Sequence, residues 1–178
     1  LRWIEFDPAE LLESIRVEDA EIKVYAPGEK KKLLEMIPLT FPKRAAMVRA
    51  FVLVQRYSAL RISDTVSLEV GSLTDEAVWV KAQRKTDAPV YCALPPTVVA
   101  AMRSFEPKSA QYFFWTGNGQ LETACKDWSA TLLKLFRAAG IADKRSHNWR
   151  DTLATEILED EEGRLEDAQI ALGHKSRK

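Results

Sequence analysis

At 178 residues, with 46% hydrophobic side chains and five tryptophans, the chain is long enough to bury one full-sized core, or one domain with an appendage, and has a globular composition. Lysine plus arginine and aspartate plus glutamate balance at 26 each, which by itself argues weakly against a nucleic-acid partner. No apolar run reaches membrane-spanning length and no signal-peptide pattern opens the chain, so the chain reads as soluble and intracellular, and a cytoplasmic location, nucleoid-associated when bound to DNA, is the expectation.

The opening "LRWIEFDPAELL" lacks an initiator methionine and reads as the middle of a protein. Within it Asp7 is placed as an N-cap, Pro8 as the first helical residue and Glu10 as the partner of a capping box. "RVEDAEIKVY" mixes charges without a period and reads as a linker. Residues 1–24 carry three basic and seven acidic side chains, whereas the remaining 154 carry 23 and 19, a mildly basic remainder compatible with a local phosphate-binding face. A helix is predicted from Pro27 with Leu33, Leu34 and Ile37 on one face, followed by a long, nearly all-round apolar helix through "TFPKRAAMVRAFVLVQRYSAL", suited to the centre of a domain. Beyond Leu68 the period changes: "AVWVKAQ" and "APVYCAL" alternate around the turn "RKTD", which predicts a hairpin, and a short strand over Val70–Leu73 would make it three-stranded. Four helical stretches follow, "PTVVAAMRSF", "ETACKDWSATLLKLFRAAG", "HNWRDTLATEIL" and "LEDAQIALG", with Gly140 and Gly163 as stops and the acid run at 159–162 as a solvated loop. The expected fold is mainly α with a small antiparallel β-sheet, an α+β domain. Cys92 and Cys125 match no metal or redox spacing and read as buried or semi-exposed thiols.

Several polar residues sit where packing does not ask for them. Arg61 follows the long helix, in "ALRISD"; Lys85 lies at the hairpin turn; His147 and Arg150 are three apart, hence on one side of a helix; His174 follows Gly173. Each alone has an ordinary explanation: Arg61 pairs with Asp64, Lys85 is solvated, the histidines cap helices, Arg150 pairs with Asp151 or Asp143. Together they form a set, because both histidines of the chain fall in it, each at a helix boundary. Two arginines, a lysine and two histidines are what phosphodiester chemistry without a metal requires. Guanidinium forks neutralise the non-bridging oxygens, while lysine and histidine move protons on and off the bridging ones. No acidic cluster with metal-ligand spacing is evident, so neither a metal nor another cofactor is expected.

These stretches resemble the tyrosine recombinases, or phage-type integrases. "ALRISDTVSLEVGSL" is similar to the family's first-arginine box, "RKTDAPVYCALP" to its β-hairpin lysine segment, "HNWRDTLATEIL" to its histidine–arginine box and "ALGHKS" to its L-G-H box, in the family's order across residues 27–174. "FDPAELL" resembles the exit from the N-terminal core-binding domain. The resemblance implies that 1–24 are the end of that domain and the linker, and that 25–178 are a catalytic domain truncated before its nucleophile. It implies Arg61 and Arg150 as phosphate ligands and Asp64 as the acid that holds Arg61. Lys85 becomes the general acid for the 5′-oxygen, His147 a phosphate contact and proton-transfer aid, and His174 a phosphate hydrogen-bond donor.

Trp149 stands where the family usually has leucine, and Asp151 where histidine is frequent; an acid there is able to pair with Arg150. The family's nucleophilic tyrosine lies beyond the L-G-H box, and Tyr25, Tyr57, Tyr91 and Tyr112 all precede it in contexts that read as packing, so the nucleophile is expected beyond Lys178. The implied function is site-specific DNA recombination through a 3′-phosphotyrosyl intermediate, on double-stranded DNA, with self-assembly from dimer to tetramer. The rivals are a recombinase-like DNA-binding domain that no longer cleaves, and a type IB topoisomerase.

Overall fold

The structure, a computed structural model, describes residues 22–80, 89–141 and 143–160. The expected helices at Asp7–Glu10 and "LEDAQIALG", most of the linker, the hairpin turn and the remainder of the acid run lie outside the described residues. Pro27 opens α1 (Pro27–Thr40), where its missing N–H costs nothing, and Glu29 accepts a 2.8 Å hydrogen bond from the Ala26 amide. Leu33 and Ile37 are buried and Leu34 is half-buried, the face expected from their spacing. The helix runs on through Pro38 to Thr40, past the end suggested by the sequence. Pro38 falls in the last turn, and the Phe41 amide donates to the Ile37 carbonyl (2.8 Å) to close it.

A 3₁₀ turn over Pro42–Arg44 separates α1 from α2 (Ala45–Ser58), so the long apolar stretch starts its α-helix later than its sequence implies. Eight of the fourteen α2 residues are buried, including Phe51, Val52 and Val54, because α1, α4 (Pro96–Arg103) and α6 (Asn148–Glu159) all pack on it. Burial of each such side chain contributes about 1.5–3 kcal/mol, which outweighs the modest helix propensity of valine and phenylalanine. The ring of Phe51 stacks on Trp128 with centroids 3.9 Å apart, and Phe114 meets both edge-on. Trp128 belongs to α5 (Leu121–Ala138), whose buried Leu121, Trp128, Leu132 and Leu135 recur at helical spacing. Gly140 ends α5 at φ +72°: its amide donates to the Arg137 carbonyl and that of Ile141 to Phe136, the paired bonds of a Schellman close.

Between α2 and the sheet lies α3 (Ile62–Val66), a five-residue helix that the sequence does not announce. The sheet has two strands, β1 (Ala77–Val80) and β2 (Val90–Ala93), antiparallel with Ala77 opposite Ala93 and Val80 opposite Val90. The third strand expected over Val70–Leu73 does not form: Val70–Ser72 is a 3₁₀ turn, and Leu73 makes one isolated bridge to Val78. The segment instead ties to the loop before α5, the Val70 amide donating to Gln111 and Phe113 to Leu68. No described helix is long and apolar enough to cross a membrane.

Candidate active site

The site begins where α2 ends. Ala59 adopts a left-handed conformation (φ +48°) and turns the chain sharply, its amide still bonded to the Gln55 carbonyl. The Ser58 hydroxyl donates to the Val54 carbonyl (2.7 Å) and accepts from the Leu60 amide, so the turn keeps its backbone groups paired. Arg61 therefore emerges at the N-cap of α3, half-buried, and its carbonyl receives the Thr65 amide (2.9 Å).

α6 arrives from the opposite side of the same place. His147 occupies its N-cap, exposed, and Arg150 lies one turn on, 5% exposed. Arg150 Nη1 donates to the Ala59 carbonyl, where the negative end of the α2 dipole favours a cation. An open cavity of about 360 Å³ is lined by Arg61, His147 and Arg150 together with Ser63, Arg145 and Ser146. Residues 61, 147 and 150, distant in the chain, thus share one concave surface.

The electrostatics reflect this crowding. Burial pushes the Arg150 guanidinium below its ordinary value, and the nearby Arg61 charge pushes it further down, while Asp64, Asp151 and Cys92 oppose the shift. Asp64 is buried on α3, where its carboxylate acts on Arg150. Asp151, half-buried, accepts a hydrogen bond from Asn148 Nδ2 (3.2 Å). The Cys92 thiol, buried on β2, donates to the Ser58 carbonyl (3.7 Å); burial pushes it up to about 12, with Asp64 adding to the rise and Arg150 opposing it. Cys125 is half-buried on α5.

Lys85 and His174 lie outside the described residues. None of the four tyrosines lines the cavity. Tyr25 is buried against Trp149, with ring centroids 4.0 Å apart, and burial holds its hydroxyl well above the usual phenol range, with Glu29 and Asp143 adding to the effect. Tyr57 sits on α2 under the Arg56 guanidinium, and Tyr112 packs against Trp115 in the loop before α5. Tyr91 departs from the packing expected of it: it is on the outer face of β2 and exposed.

Five residues that frame this site, Tyr25, Gln55, Arg145, Ser146 and Thr152, have roles that escape the sequence reading. The Tyr25 amide donates to Thr152 Oγ1 and its hydroxyl to the Arg145 carbonyl, both at 2.9 Å, so the segment before α1 clamps the start of α6. Gln55, 1% exposed, accepts from the Ser146 hydroxyl at 2.8 Å. Arg145 and Ser146 themselves line the cavity. Gln55 carries a detectable signal, an amide within the apolar run "AFVLVQ"; the others become legible only once α6 is docked. Among the described residues no three His, Cys, Asp or Glu side chains gather as metal ligands would. A second cavity of about 400 Å³, beside Arg44, Trp115 and Trp128, shares none of these residues.

Similar folds occur among recombinases. The chain is 22% identical to XerA recombinase over 86% of its own length and 57% of that structure's, with a TM-score of 0.68. Against XerH site-specific recombinase bound to difH substrate in a pre-cleavage complex, identity is 19% over 86% of this chain and 47% of that one, with a TM-score of 0.66. The post-cleavage complex of XerH with a palindromic difH substrate gives 20%, 87%, 47% and 0.68. The chain therefore spans about half the length of the solved structures that it resembles. No curated protein matches its sequence. Residues 24–178 match the phage integrase family, and over that span, most of its length, this chain belongs to the phage integrase family of tyrosine recombinases.

Proposed function

We propose that this chain is the catalytic domain of a site-specific recombinase that cleaves and rejoins double-stranded DNA through a 3′-phosphotyrosyl intermediate. The observation that carries the reading is the convergence of Arg61, His147 and Arg150 on one cavity, two guanidinium groups near enough that the charge of one depresses the other. Like charges brought together in a half-buried site are relieved by an anion, and a phosphodiester presents two non-bridging oxygens for two cations. As charge builds on those oxygens in a pentacoordinate transition state, fixed donors stabilise it more than they stabilise the ground state. His147 assists proton transfer, Lys85 protonates the departing 5′-oxygen, and His174 adds a hydrogen bond to the phosphate. Asp64 sets the arginines from behind. The attacking tyrosine comes from outside residues 1–178, and the protein acts as a dimer or tetramer on its site.

The test uses the full-length protein on a nicked suicide duplex carrying its target site, in excess EDTA. The proposed chemistry takes its positive charge from side chains, so a covalent protein–DNA band is expected in the chelator. Cleavage that strictly requires magnesium would instead support a nuclease; with a supercoiled plasmid carrying the site as the second substrate, relaxation without pairing of sites would support a type IB topoisomerase.

A further inference from the structure

We infer that Gln55 is a positioning residue: its buried carboxamide oxygen holds Ser146 and thereby sets His147 at the rim of the cavity lined by Arg61 and Arg150. The placement rests on geometry alone; its effect on DNA cleavage rests on the function proposed above.

Gln55 lies in the last turn of α2, the helix whose end carries Ala59 and leads into Arg61. It is 1% exposed, and its two polar atoms fare differently: Oε1 accepts from Ser146 Oγ at 2.8 Å, while Nε2 has no hydrogen-bond partner among the described residues. A buried amide with an unsatisfied N–H is unfavourable where an apolar side chain of equal size would be accommodated without loss. Core packing therefore does not account for an amide here, but the bond to Ser146 does. Ser146 immediately precedes His147, and its carbonyl accepts the Trp149 amide (3.2 Å), as the His147 carbonyl accepts that of Arg150 (2.9 Å). A displacement of Ser146 is thus transmitted to the first turn of α6 and to both of its cavity-lining side chains. The turn is held from the other side by Tyr25, whose hydroxyl donates to the Arg145 carbonyl, and internally by Asn148 Oδ1, which accepts from the Arg145 amide (2.7 Å). Gln55 attaches the turn to α2, the helix whose end leads into Arg61.

Histidine ring signals of the isotopically labelled 178-residue chain, assigned with His174→Ala, report the placement directly. Gln55→Met preserves volume and removes both amide groups. It is expected to keep the thermal midpoint of the parent or raise it, yet to move the His147 ring signal. Ser146→Ala should move that signal in the same way, the double variant no further, and Ser146→Thr, which keeps the hydroxyl, should leave it at the parent position. An unmoved signal in both Gln55→Met and Ser146→Ala, or displacements that add in the double variant, overturns the inference. In the full-length protein Gln55→Met should slow single-turnover cleavage at saturating DNA roughly 10- to 100-fold while leaving DNA affinity unchanged; parent-like cleavage also overturns it. A full-length parent that cleaves no DNA defeats the proposed function instead, and the ring signals still decide the placement of His147.

Discussion

Arg150 donates from Nη1 to the carbonyl oxygen of Ala59, the residue at which α2 ends in the left-handed conformation. A guanidinium on the sixth helix is thereby indexed to the backbone two residues before Arg61. The relationship makes the site depend on a conformation that residues with a Cβ rarely adopt, at a position that is fully buried.

Ala59 should therefore be intolerant of branching and tolerant of glycine. Ala59→Val is expected to lose at least about 2 kcal/mol, since a β-branched residue at positive φ adds strain to overpacking. In Ala59→Gly, the relief of strain is offset by the greater freedom of the unfolded chain and by the lost methyl, so stability should stay within about 1 kcal/mol of the parent. Urea denaturation of the two variants is the measurement.

The two arginines should separate stability from chemistry. Arg61 is half-buried and Arg150 buried. Arg61→Ala is expected to cost less stability than Arg150→Ala, which should lose about 2–4 kcal/mol by vacating a buried, hydrogen-bonded site. Both should reduce single-turnover cleavage by the full-length protein about 10²- to 10³-fold. Arg150→Lys should not restore it, because an ammonium lacks the planar fork. Equal stability losses in the two alanine variants would contradict the burial argument.

Most of the architecture is legible in the sequence because it rests on period. Leu33 and Ile37, or Trp128, Leu132 and Leu135, bury at the spacing that announces them, and the alternation around Cys92 yields a strand. Val70–Leu73 misleads for a tertiary reason: the Val70 amide is taken by Gln111, from a loop with no periodic signal, and the strand pairing is lost. The short α3 is missed because five residues carry too little period to detect. The charged side chains that line the cavity stand out as polar residues at helix ends, but their mutual distance is set by docking. The supports of that docking, Tyr25 under Trp149 and Gln55 under Ser146, have partners more than ninety residues away. No local pattern encodes such a pairing.

Lys85 is proposed as the general acid, and a sulfur-substituted substrate isolates that role. Lys85→Ala in the full-length protein should cleave ordinary DNA slowly, yet recover most of its rate when the 5′-bridging oxygen is replaced by sulfur, because a thiolate departs without a proton. Arg61→Ala should gain no such rescue, its proposed role being charge on the non-bridging oxygens. Equal rescue of both variants would show that the roles are misassigned.

Alkaline pH should expose the buried acids. Burial raises the Cys92 thiol from 9.0 to about 12, with Asp64 adding to the rise and Arg150 opposing it. In the unfolded chain the thiol ionises from its ordinary value upward, while in the folded one it stays protonated. The stabilisation is therefore complete below pH 9 and is lost between pH 9 and 12, at about 1.4 kcal/mol per pH unit. Tyr25, raised by burial from 10.0, adds a second loss of the same sign above pH 10. Cys92→Ala should flatten the decline of the urea midpoint between pH 9 and 10 and make the fall beyond it shallower, leaving only the Tyr25 contribution there; an unchanged slope would mean that the thiol ionises freely in the folded state.

The 178-residue chain should bind DNA weakly and never become covalently attached to it. Binding draws on Arg61, Arg150 and Lys85 at the cleaved phosphate and on the mildly basic remainder of the domain at its neighbours, and it should fall steeply with added salt. Attachment requires a tyrosine hydroxyl in line with the phosphate. Tyr25 is withdrawn by burial, its hydroxyl committed to the Arg145 carbonyl, and Tyr57, Tyr91 and Tyr112 line no part of the cavity that Arg61, His147 and Arg150 share. A nicked suicide duplex resolved on a denaturing gel decides the matter. A shifted band from this chain would mean that one of these four tyrosines reaches the phosphate through a rearrangement of the fold. A shift that first appears when the chain is extended through the next tyrosine of its gene would assign the nucleophile to that residue, with the arginine cavity as the place it attacks.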